Sequence, residues 1–288
     1  MIARKRGQKD MKYCDLHTHS IYSDGTWTPL QLIEEAQRLG LGAVALCDHN
    51  TVAGLPAFLE AAQGREVEAV PGVELSTDYE GTELHIVGLF IRPEHYAAVA
   101  EIVAEGQRQK EQSNRDLITA LNQAGYALDY GALAAAVPDG RFNRAHVAAE
   151  MVRKGYAESM QDAFRHYLRP EIGYYRQPRW ITAYEAIGFL KSLGTVAVLA
   201  HPFLSMKEAR VRAFLPQAVE RGLDAMETMY VTYDEPTTRL AMEMADAFGL
   251  KHSGGSDFHG DNKPGIYLGE GKGNLKIPIS VLQELRQR

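Results

Sequence analysis

The segment DLHTHSIYSDG, residues 15–25, carries His17 and His19 two positions apart, with Asp24 shortly after them. In a β-strand every second side chain points to the same face, so the two imidazoles project side by side. A shared metal ion requires this spacing, and mixed imidazole and carboxylate ligands suit zinc, manganese or iron better than magnesium or calcium. The segment therefore predicts a metal site at the end of a strand.

Further imidazoles and carboxylates lie at or near the ends of predicted strands: His49, Glu74, His85, His201, Asp257 and His259. A single histidine is more often structural, which is how we interpret His95, His166 and His252. So many imidazoles and carboxylates at strand ends are difficult to attribute to coincidence. With the first segment they make nine candidate ligands, too many for one ion. We therefore expect two or three ions, with Glu74 and Asp257 as bridging candidates.

Apolar runs bounded by turn residues alternate with segments of helical period along most of the chain, as parallel strands joined by crossover helices do. YCDLHTHS predicts the first strand. TPLQLIEEAQRLG predicts a helix with Thr28 as N-cap, Pro29 at its first position and Gly40 as its stop. Six more strands are predicted: GAVALCDH, VEAVPGVEL, TELHIVGLF, TVAVLAHP, LDAMETMY and KHSGGSDFH. The alternation favours a barrel-like α/β fold whose strand C-termini carry the chemistry.

The alternation stops between about Pro93 and Tyr174, where HYAAVAEIVAEGQRQKEQSNRDLITALNQAG is one long helical pattern and NRAHVAAEMVRKG and MQDAFRHYL are shorter ones. We therefore expect residues 13–92 and 175–288 to form the barrel and residues 93–174 to form a helical insertion that caps the site. Residues 1–12, MIARKRGQKDMK, lack the apolar run and cleavage site of a signal peptide and predict a flexible basic tail.

Composition excludes several classes of function. The 288 residues are 45% hydrophobic and 24% charged, which is typical of a soluble globular protein. The net charge of −6 argues against binding to duplex DNA, although it does not exclude a small anion. No apolar stretch is long enough to span a membrane. Cys14 and Cys47 are too few for a disulfide framework and are expected to be buried, so a cytoplasmic location is the default expectation.

The ordered motifs DLHTHS, CDHN, PGVE, LHIVG, AHP and GSDFH run from residue 15 to residue 259 and resemble those of the PHP (polymerase and histidinol phosphatase) superfamily. The chain most resembles the branch of 3',5'-nucleotide bisphosphate phosphatases and 5'-to-3' exoribonucleases that act on short RNA. The layout of the insertion, with NRAHVA and the later GYYRQPRW, supports that branch. The resemblance implies a distorted (β/α)7 barrel with a helical insertion and up to three divalent ions, manganese first, with zinc or iron as alternatives.

The resemblance also implies how the ligands are divided among the ions. The three sets are His17, His19, Glu74 and Asp257; Glu74, His85 and His201; and Asp24, His49 and His259. Asp24 stands where some relatives have histidine, which makes the third set richer in oxygen and leaves the choice of its metal open.

For the reaction, our hypothesis is in-line attack on phosphorus by a metal-bridging hydroxide held by Glu74 and Asp257. Either a water or a histidine of the ligand sets would serve to protonate the leaving alkoxide. Lys110, Arg144 and His146, in the insertion, are candidates to bind a second phosphate of the substrate. A solvated helix face is an equally good interpretation of Lys110.

The remaining candidate residues lie outside the three ligand sets. Glu227 is a candidate to orient a ligand, whereas Asp48 faces away from its neighbour His49 on a strand and is expected to be structural. The aromatic side chains of Tyr174, Tyr175 and Trp180 are candidates to stack on a base, with core packing as the alternative.

The leading functional prediction is removal of the 3'-phosphate from a 3',5'-bisphosphate nucleotide such as adenosine 3',5'-bisphosphate. Stepwise 5'-to-3' hydrolysis of short 5'-phosphorylated RNA is the alternative, because it breaks a chemically similar bond. Histidinol phosphate hydrolysis is a third possibility. A metal-binding module without catalysis is a fourth, against which the complete set of ligands argues. No membrane or protein partner is predicted.

Overall fold

The computed structural model describes residues 13–137, 142–178 and 180–287. The basic tail predicted for residues 1–12 lies outside these described residues. Among the helices within them, none is both long and apolar enough to cross a membrane.

A single sheet forms the centre of the described fold. Its eight strands are β1 (Tyr13–Thr18), β2 (Ala43–Leu46), β3 (Glu68–Tyr79), β4 (Thr82–Leu89), β5 (Val196–Leu199), β6 (Ala225–Tyr230), β7 (Lys251–Gly255) and β8 (Ile277–Pro278). Their order across the sheet is β7-β6-β5-β4-β3-β2-β1-β8. The N–H of His19 donates to the carbonyl of Phe258, and that of Asp257 to the carbonyl of His17, both at 2.9 Å. These bonds nearly close the sheet between β1 and the segment after β7, which confirms the predicted barrel-type α/β fold.

The strands are not all parallel, contrary to the expectation from their alternation with helices. β3 and β4 form an antiparallel hairpin, and β4 also pairs antiparallel with β5. Only Glu80 and Gly81 separate β3 from β4, with φ of 49° and 78°, and a two-residue turn leaves no room for a crossover helix. The sequence placed Glu74 and His85 at or near strand ends. In the structure both lie within the strands of this hairpin.

Helices surround the barrel. Those in the described residues are α1 (Pro29–Arg38), α2 (Leu55–Ala61), α3 (Tyr96–Gln123), α4 (Tyr130–Ala135), α5 (Arg144–Arg153), α6 (Met160–Ala163), α7 (Ala183–Ser192), α8 (Pro202–Ser205), α9 (Glu208–Glu220), α10 (Glu235–Ala247) and α11 (Ile279–Arg286). α1 begins as predicted, because the Thr28 side chain accepts from the N–H of Gln31 at 3.3 Å and Pro29 is the first residue. Gly40, at φ 70°, follows its end.

The barrel strands are buried on both faces. In β2, Val44 and Leu46 join a cluster with the surrounding helices, whereas Ala43 and Ala45 join a second cluster that α11 covers. This alternation follows from the two-residue period of a strand. Apolar packing on both faces therefore fixes the strands, and with them the polar residues at and after the strand ends.

The helices α3 to α6 lie between β4 and α7 in the chain. α3 has 28 residues and is therefore about 42 Å long. Val99 and Val103 in its first half pack into the barrel cluster, while Leu117 and Leu121 in its second half belong to a separate cluster. Residues Phe164–Leu168, after α6, form a π-helical turn. We retain the division into a barrel and a helical insertion as our interpretation of the chain.

Candidate metal centre

The two histidines of the first motif are held against the segment that follows β7. His17 lies in β1 and His19 directly after it; both are buried, with ring centroids 5.0 Å apart. The backbone hydrogen bonds that close the barrel join these same residues to Asp257 and Phe258. Barrel closure therefore brings the first and the last predicted ligands together.

Four ligand atoms meet without hydrogen-bond partners. They are Nε2 of His17, Nε2 of His19, Oε2 of Glu74 and Oδ1 of Asp257, and all four are buried. Glu74 Oε2 lies 3.2 Å from His17 Nε2 and 3.3 Å from His19 Nε2, and Asp257 Oδ1 lies 3.2 Å from His19 Nε2. Buried polar atoms without partners are costly. Two imidazole nitrogens and two carboxylate oxygens form a donor set that zinc, manganese or iron would accept, so these residues fit the metal that the sequence predicts.

The other oxygen of Glu74 faces a second pair of imidazoles. Oε1 lies 2.8 Å from His85 Nδ1 and 2.9 Å from His201 Nε2. His85 comes from the interior of β4, so the hairpin sets its distance from Glu74. His201 follows β5 at the unusual φ of 27°, a strained backbone of the kind found at functional sites. Glu74 thus contacts histidines of both ligand sets to which it is assigned, as a bridging carboxylate must.

The third predicted set also comes together. Asp24 Oδ1 lies 3.1 Å from His259 Nε2 and 3.8 Å from His49 Nε2. His49 turns its other nitrogen to Glu74, with Nδ1 3.1 Å from Oε2. His19 Nδ1 is also 3.8 Å from Asp24 Oδ1. The three sets therefore form one continuous cluster, and His49 borders more than one of them.

Side chains outside the predicted ligands hold those ligands in place. Glu227 Oε1 lies 2.8 Å from Nδ1 of His17, which leaves Nε2 directed at the cluster. Asp257 Oδ2 accepts from the hydroxyl of Tyr230 at 2.6 Å and from Nζ of Lys263 at 2.5 Å, which leaves Oδ1 for an ion. The sequence indicated this role for Glu227 but not for Tyr230 or Lys263. The position of Tyr230 at the end of a predicted strand is a signal that could have found it; Lys263 lies in a loop without a recognisable pattern.

Two buried carboxylates near the cluster are engaged in structural bonds. Asp15 accepts from the N–H and hydroxyl of Ser256 at 2.9 and 2.5 Å. Asp48 accepts from the N–H and hydroxyl of Ser20 at 2.8 and 2.7 Å and from the hydroxyl of Ser23 at 2.7 Å. Both therefore organise the loops that carry the ligands.

Burial and neighbouring charges set the protonation of the metal-free cluster. Burial opposes the charged form of His17, yet Glu74 and the neighbouring carboxylates raise its pKa well above the usual value. Burial likewise opposes charge on His19, but the adjacent carboxylates of Asp257 and Glu74 raise its pKa to about 9. Burial alone would raise the pKa of Glu74, and the surrounding imidazoles instead hold it well below its usual value. Burial lowers the pKa of His49 to about 3. The cluster thus combines ionised carboxylates with imidazoles that exchange protons for metal.

The two cysteines are buried apolar residues, as predicted. Burial raises the pKa of Cys14 to about 12 and also raises that of Cys47. A thiol that stays protonated at neutral pH is a poor nucleophile and a poor ligand.

A cavity of about 160 Å³ begins at the cluster and extends beneath the helices after β4. His49 and His85 of the cluster line it, as do Lys110 and Arg144. The guanidinium of Arg144 lies 4.2 Å from the ring centroid of Tyr175 and donates to the carbonyl of Leu168 at 3.2 Å. The arginine is therefore held in one orientation at the wall of this cavity, which we call the smaller cavity because a larger one is described below.

The other candidates from this region have different surroundings. His146 Nδ1 accepts from the N–H of Asn143 at 3.1 Å and completes the capping box of α5. The ring of His146 therefore caps the beginning of a helix.

The three aromatic candidates are divided between two surroundings. Tyr175 and Trp180 line the smaller cavity, whereas Tyr174 packs against the apolar cluster of the helices.

A larger cavity, of about 540 Å³, opens on the cluster as well. Asp24 and His49 line both cavities. The wall of the larger one also includes Arg165, Arg169 and Lys263. The predicted ligands Asp24 and His49 thus border two cavities, and the wall of each cavity carries at least two cationic side chains.

Comparisons with known proteins place the chain in one family of enzymes. The model of the PHP domain family matches residues 15–175. A 5'-3' exoribonuclease of Haemophilus influenzae is 32% identical over 86% of this chain and 90% of its own, and a 3',5'-nucleoside bisphosphate phosphatase of Chromobacterium violaceum is 30% identical over 96% and 98%. The structure of a protein from Bifidobacterium adolescentis, described as a metal-dependent phosphoesterase, superposes with a TM-score of 0.84 at 26% identity and covers 95% of both chains.

Proposed function

The chain belongs to the PHP domain family and is a metal-dependent phosphoester hydrolase, and we propose that it removes the 3'-phosphate from 3',5'-bisphosphate nucleotides. Adenosine 3',5'-bisphosphate, hydrolysed to AMP and phosphate, is the example we adopt. The observation that carries the proposal is the position of Arg144, at the wall of a cavity that begins at His49 and His85. The relative from Chromobacterium violaceum, which matches almost end to end, is named for this reaction.

A bisphosphate nucleotide requires a receptor for each phosphate. The metal centre receives the 3'-phosphate, and Arg144 offers its planar fork to the 5'-phosphate, with Lys110 as a second cation on the same wall. Arg144 is already held by Tyr175 and by the carbonyl of Leu168, so it loses little conformational entropy when substrate binds. The ring of Tyr175 also supplies apolar surface at the wall that the nucleotide would contact.

We assign two to three divalent ions, manganese first, to the three ligand sets that the family resemblance implies. When bound, such ions lower the pKa of a water toward about 7 and neutralise charge on the transferred phosphoryl group. Glu74 and Asp257 would position the attacking water through the ions that they would hold, because Glu74 Oε2 and Asp257 Oδ1 both lie within 3.3 Å of His19 Nε2. Glu227 keeps His17 oriented, and Tyr230 and Lys263 keep Asp257 oriented, through the hydrogen bonds described above.

A second candidate function, 5'-to-3' hydrolysis of short 5'-phosphorylated RNA, is supported by the larger cavity. In this reaction the phosphorus attacked carries a further nucleotide, which must leave the cluster in another direction. The larger cavity starts from the same Asp24 and His49 and has Arg165 and Arg169 in its wall, which suit the next phosphodiester. The Haemophilus influenzae relative is named for this activity.

One experiment separates the two candidates. Phosphate release and product identity are measured with Mn²⁺ for adenosine 3',5'-bisphosphate and for a 5'-phosphorylated RNA trinucleotide. AMP and phosphate from the bisphosphate, with the RNA unchanged, would establish the phosphatase. Faster release of mononucleotides from the RNA would make the exoribonuclease the main activity, and hydrolysis of neither would reject both.

A further inference from the structure

Glu83 lies where the barrel meets the helices that follow β4. It is the second residue of β4, two positions before His85, so both side chains point to the same face of the strand. Its side chain is 29% exposed and lines the smaller cavity together with Arg144. It belongs to none of the three predicted ligand sets.

The two oxygens of Glu83 contact two different functional groups. Oε1 lies 3.4 Å from Nε2 of His85, and Oε2 lies 3.6 Å from a terminal nitrogen of Arg144. The other ring nitrogen of His85, Nδ1, lies 2.8 Å from Glu74. A single carboxylate therefore connects the metal cluster with the arginine that we assign to the substrate's 5'-phosphate.

We propose that Glu83 is a positioning residue that couples the metal centre to recognition of the second phosphate; this inference rests on the function proposed above. By accepting a hydrogen bond from the Nε2–H of His85, Glu83 selects the tautomer whose Nδ1 lone pair faces the cluster. By pairing with Arg144, Glu83 directs the guanidinium into the cavity. Stacking on Tyr175 fixes the plane of the guanidinium. These interactions are stronger in a cavity from which water is partly excluded than on an open surface.

The test begins without substrate. In Glu83→Gln, which keeps the size of the side chain and removes its charge, calorimetry should show a Mn²⁺ affinity about 10-fold lower at the weakest site. Arg144→Met should leave the Mn²⁺ affinity unchanged, because Arg144 acts only on substrate. Glu83→Asp restores the charge and should recover part of the loss; it also serves as the second variant if Glu83→Gln does not fold.

Kinetics then test the link to substrate. The KM for adenosine 3',5'-bisphosphate is compared with that for adenosine 3'-monophosphate, which lacks the second phosphate. Glu83→Gln and Arg144→Met should each raise the ratio of the bisphosphate KM to the monophosphate KM several-fold. In the double variant the ratio should rise no further than in Arg144→Met alone, because the effect of Glu83 on the ratio passes through Arg144.

Glu80→Gln is the matched control, because this carboxylate lies on the same hairpin but pairs with Arg210 at the surface, 3.7 Å away. It should match the unmodified protein in both measurements. A Glu83→Gln protein with normal Mn²⁺ affinity, or with a normal KM ratio, would overturn the coupling. If the unmodified protein shows no preference for the bisphosphate, the proposed substrate is rejected, and a normal Mn²⁺ affinity in Glu83→Gln then rejects the positioning role separately.

Discussion

At the scale of single residues, the cluster depends most on Glu74. One of its oxygens faces His17 and His19, and the other lies within 2.9 Å of His85 and His201. Its side chain is fully buried, so water does not replace a lost contact. No other predicted ligand joins two sets through two different oxygens.

Replacing Glu74 with Gln should lower kcat more than about 100-fold, because an amide nitrogen directed at either set cannot bind a metal. The amide has the same shape, so the far-ultraviolet circular dichroism should remain normal. Metal content by mass spectrometry should fall in parallel with activity. Glu94→Gln, a surface substitution beside Arg92, is the control. Substantial turnover of Glu74→Gln at saturating Mn²⁺ would contradict the bridging role.

Metal affinity should fall as the pH falls. Burial opposes charge on His19, but the adjacent carboxylates of Asp257 and Glu74 raise its pKa in the metal-free protein to about 9. The ring therefore carries a proton at pH 7 that must leave before Nε2 binds an ion, and each such proton weakens binding about 10-fold per pH unit below that pKa. Calorimetry at pH 6 and pH 7, in buffers of different ionisation enthalpy, should show weaker binding at pH 6 and proton release at both. Affinity independent of pH would disprove this.

At the scale of elements, α3 determines the shape of the smaller cavity. Its Gly106 lies against Trp180, and a Cβ at this position would come 2.3 Å from Cε3 of that ring. Trp180 lines the cavity and follows the segment that carries Tyr175. The packing of one helical glycine therefore sets the position of an aromatic wall.

The variant Gly106→Ala should raise the KM for the bisphosphate several-fold and cost about 1–3 kcal/mol of stability, because the indole must move. Gly188→Ala in α7 is the matched control, since a Cβ there meets nothing within 4 Å. It should keep a normal KM and gain about 0.5–1 kcal/mol, measured by urea unfolding, from the better helix propensity of alanine. An unchanged KM in Gly106→Ala would show that Trp180 does not shape the binding site.

At the scale of the whole molecule, metal binding and stability are linked. The cluster joins residues from β1 to the segment after β7, and four of its buried atoms have no hydrogen-bond partner in the described structure without an ion. The ligands also draw together the edges at which the barrel closes, through Asp257 and His17. An ion that binds only the folded chain therefore stabilises the closed barrel.

Removal of metal with EDTA should lower the melting temperature. Free Mn²⁺ at 1,000 times its Kd stabilises the folded state by about 4 kcal/mol, which for a chain of this size is on the order of 10 °C. Differential scanning calorimetry of the chelated and reloaded protein measures the shift. Glu74→Gln, which damages the site, should show a much smaller shift. Equal melting temperatures with and without metal would contradict the link.

Local sequence patterns determined the local elements of this protein. The two-residue period placed His17 and His19 side by side, and Thr28, Pro29 and Gly40 marked the ends of α1 correctly. The alternation of strands and helices indicated the barrel, and the interrupted alternation matched the position of the helices from α3 to α6. These features depend on backbone geometry and on neighbours within a few residues, which the sequence records directly.

Only the tertiary structure decided which groups meet. The antiparallel direction of β4 brings His85 to Glu74. His49 lies between ligand sets because it also contacts Glu74. Other contacts also join residues distant in the chain: Asp257 with Tyr230, and Glu83 with Arg144. Such contacts depend on strand direction, barrel closure and the docking of helices. A sequence pattern determines where a side chain points along its own element. The partner that it reaches depends on how the elements pack.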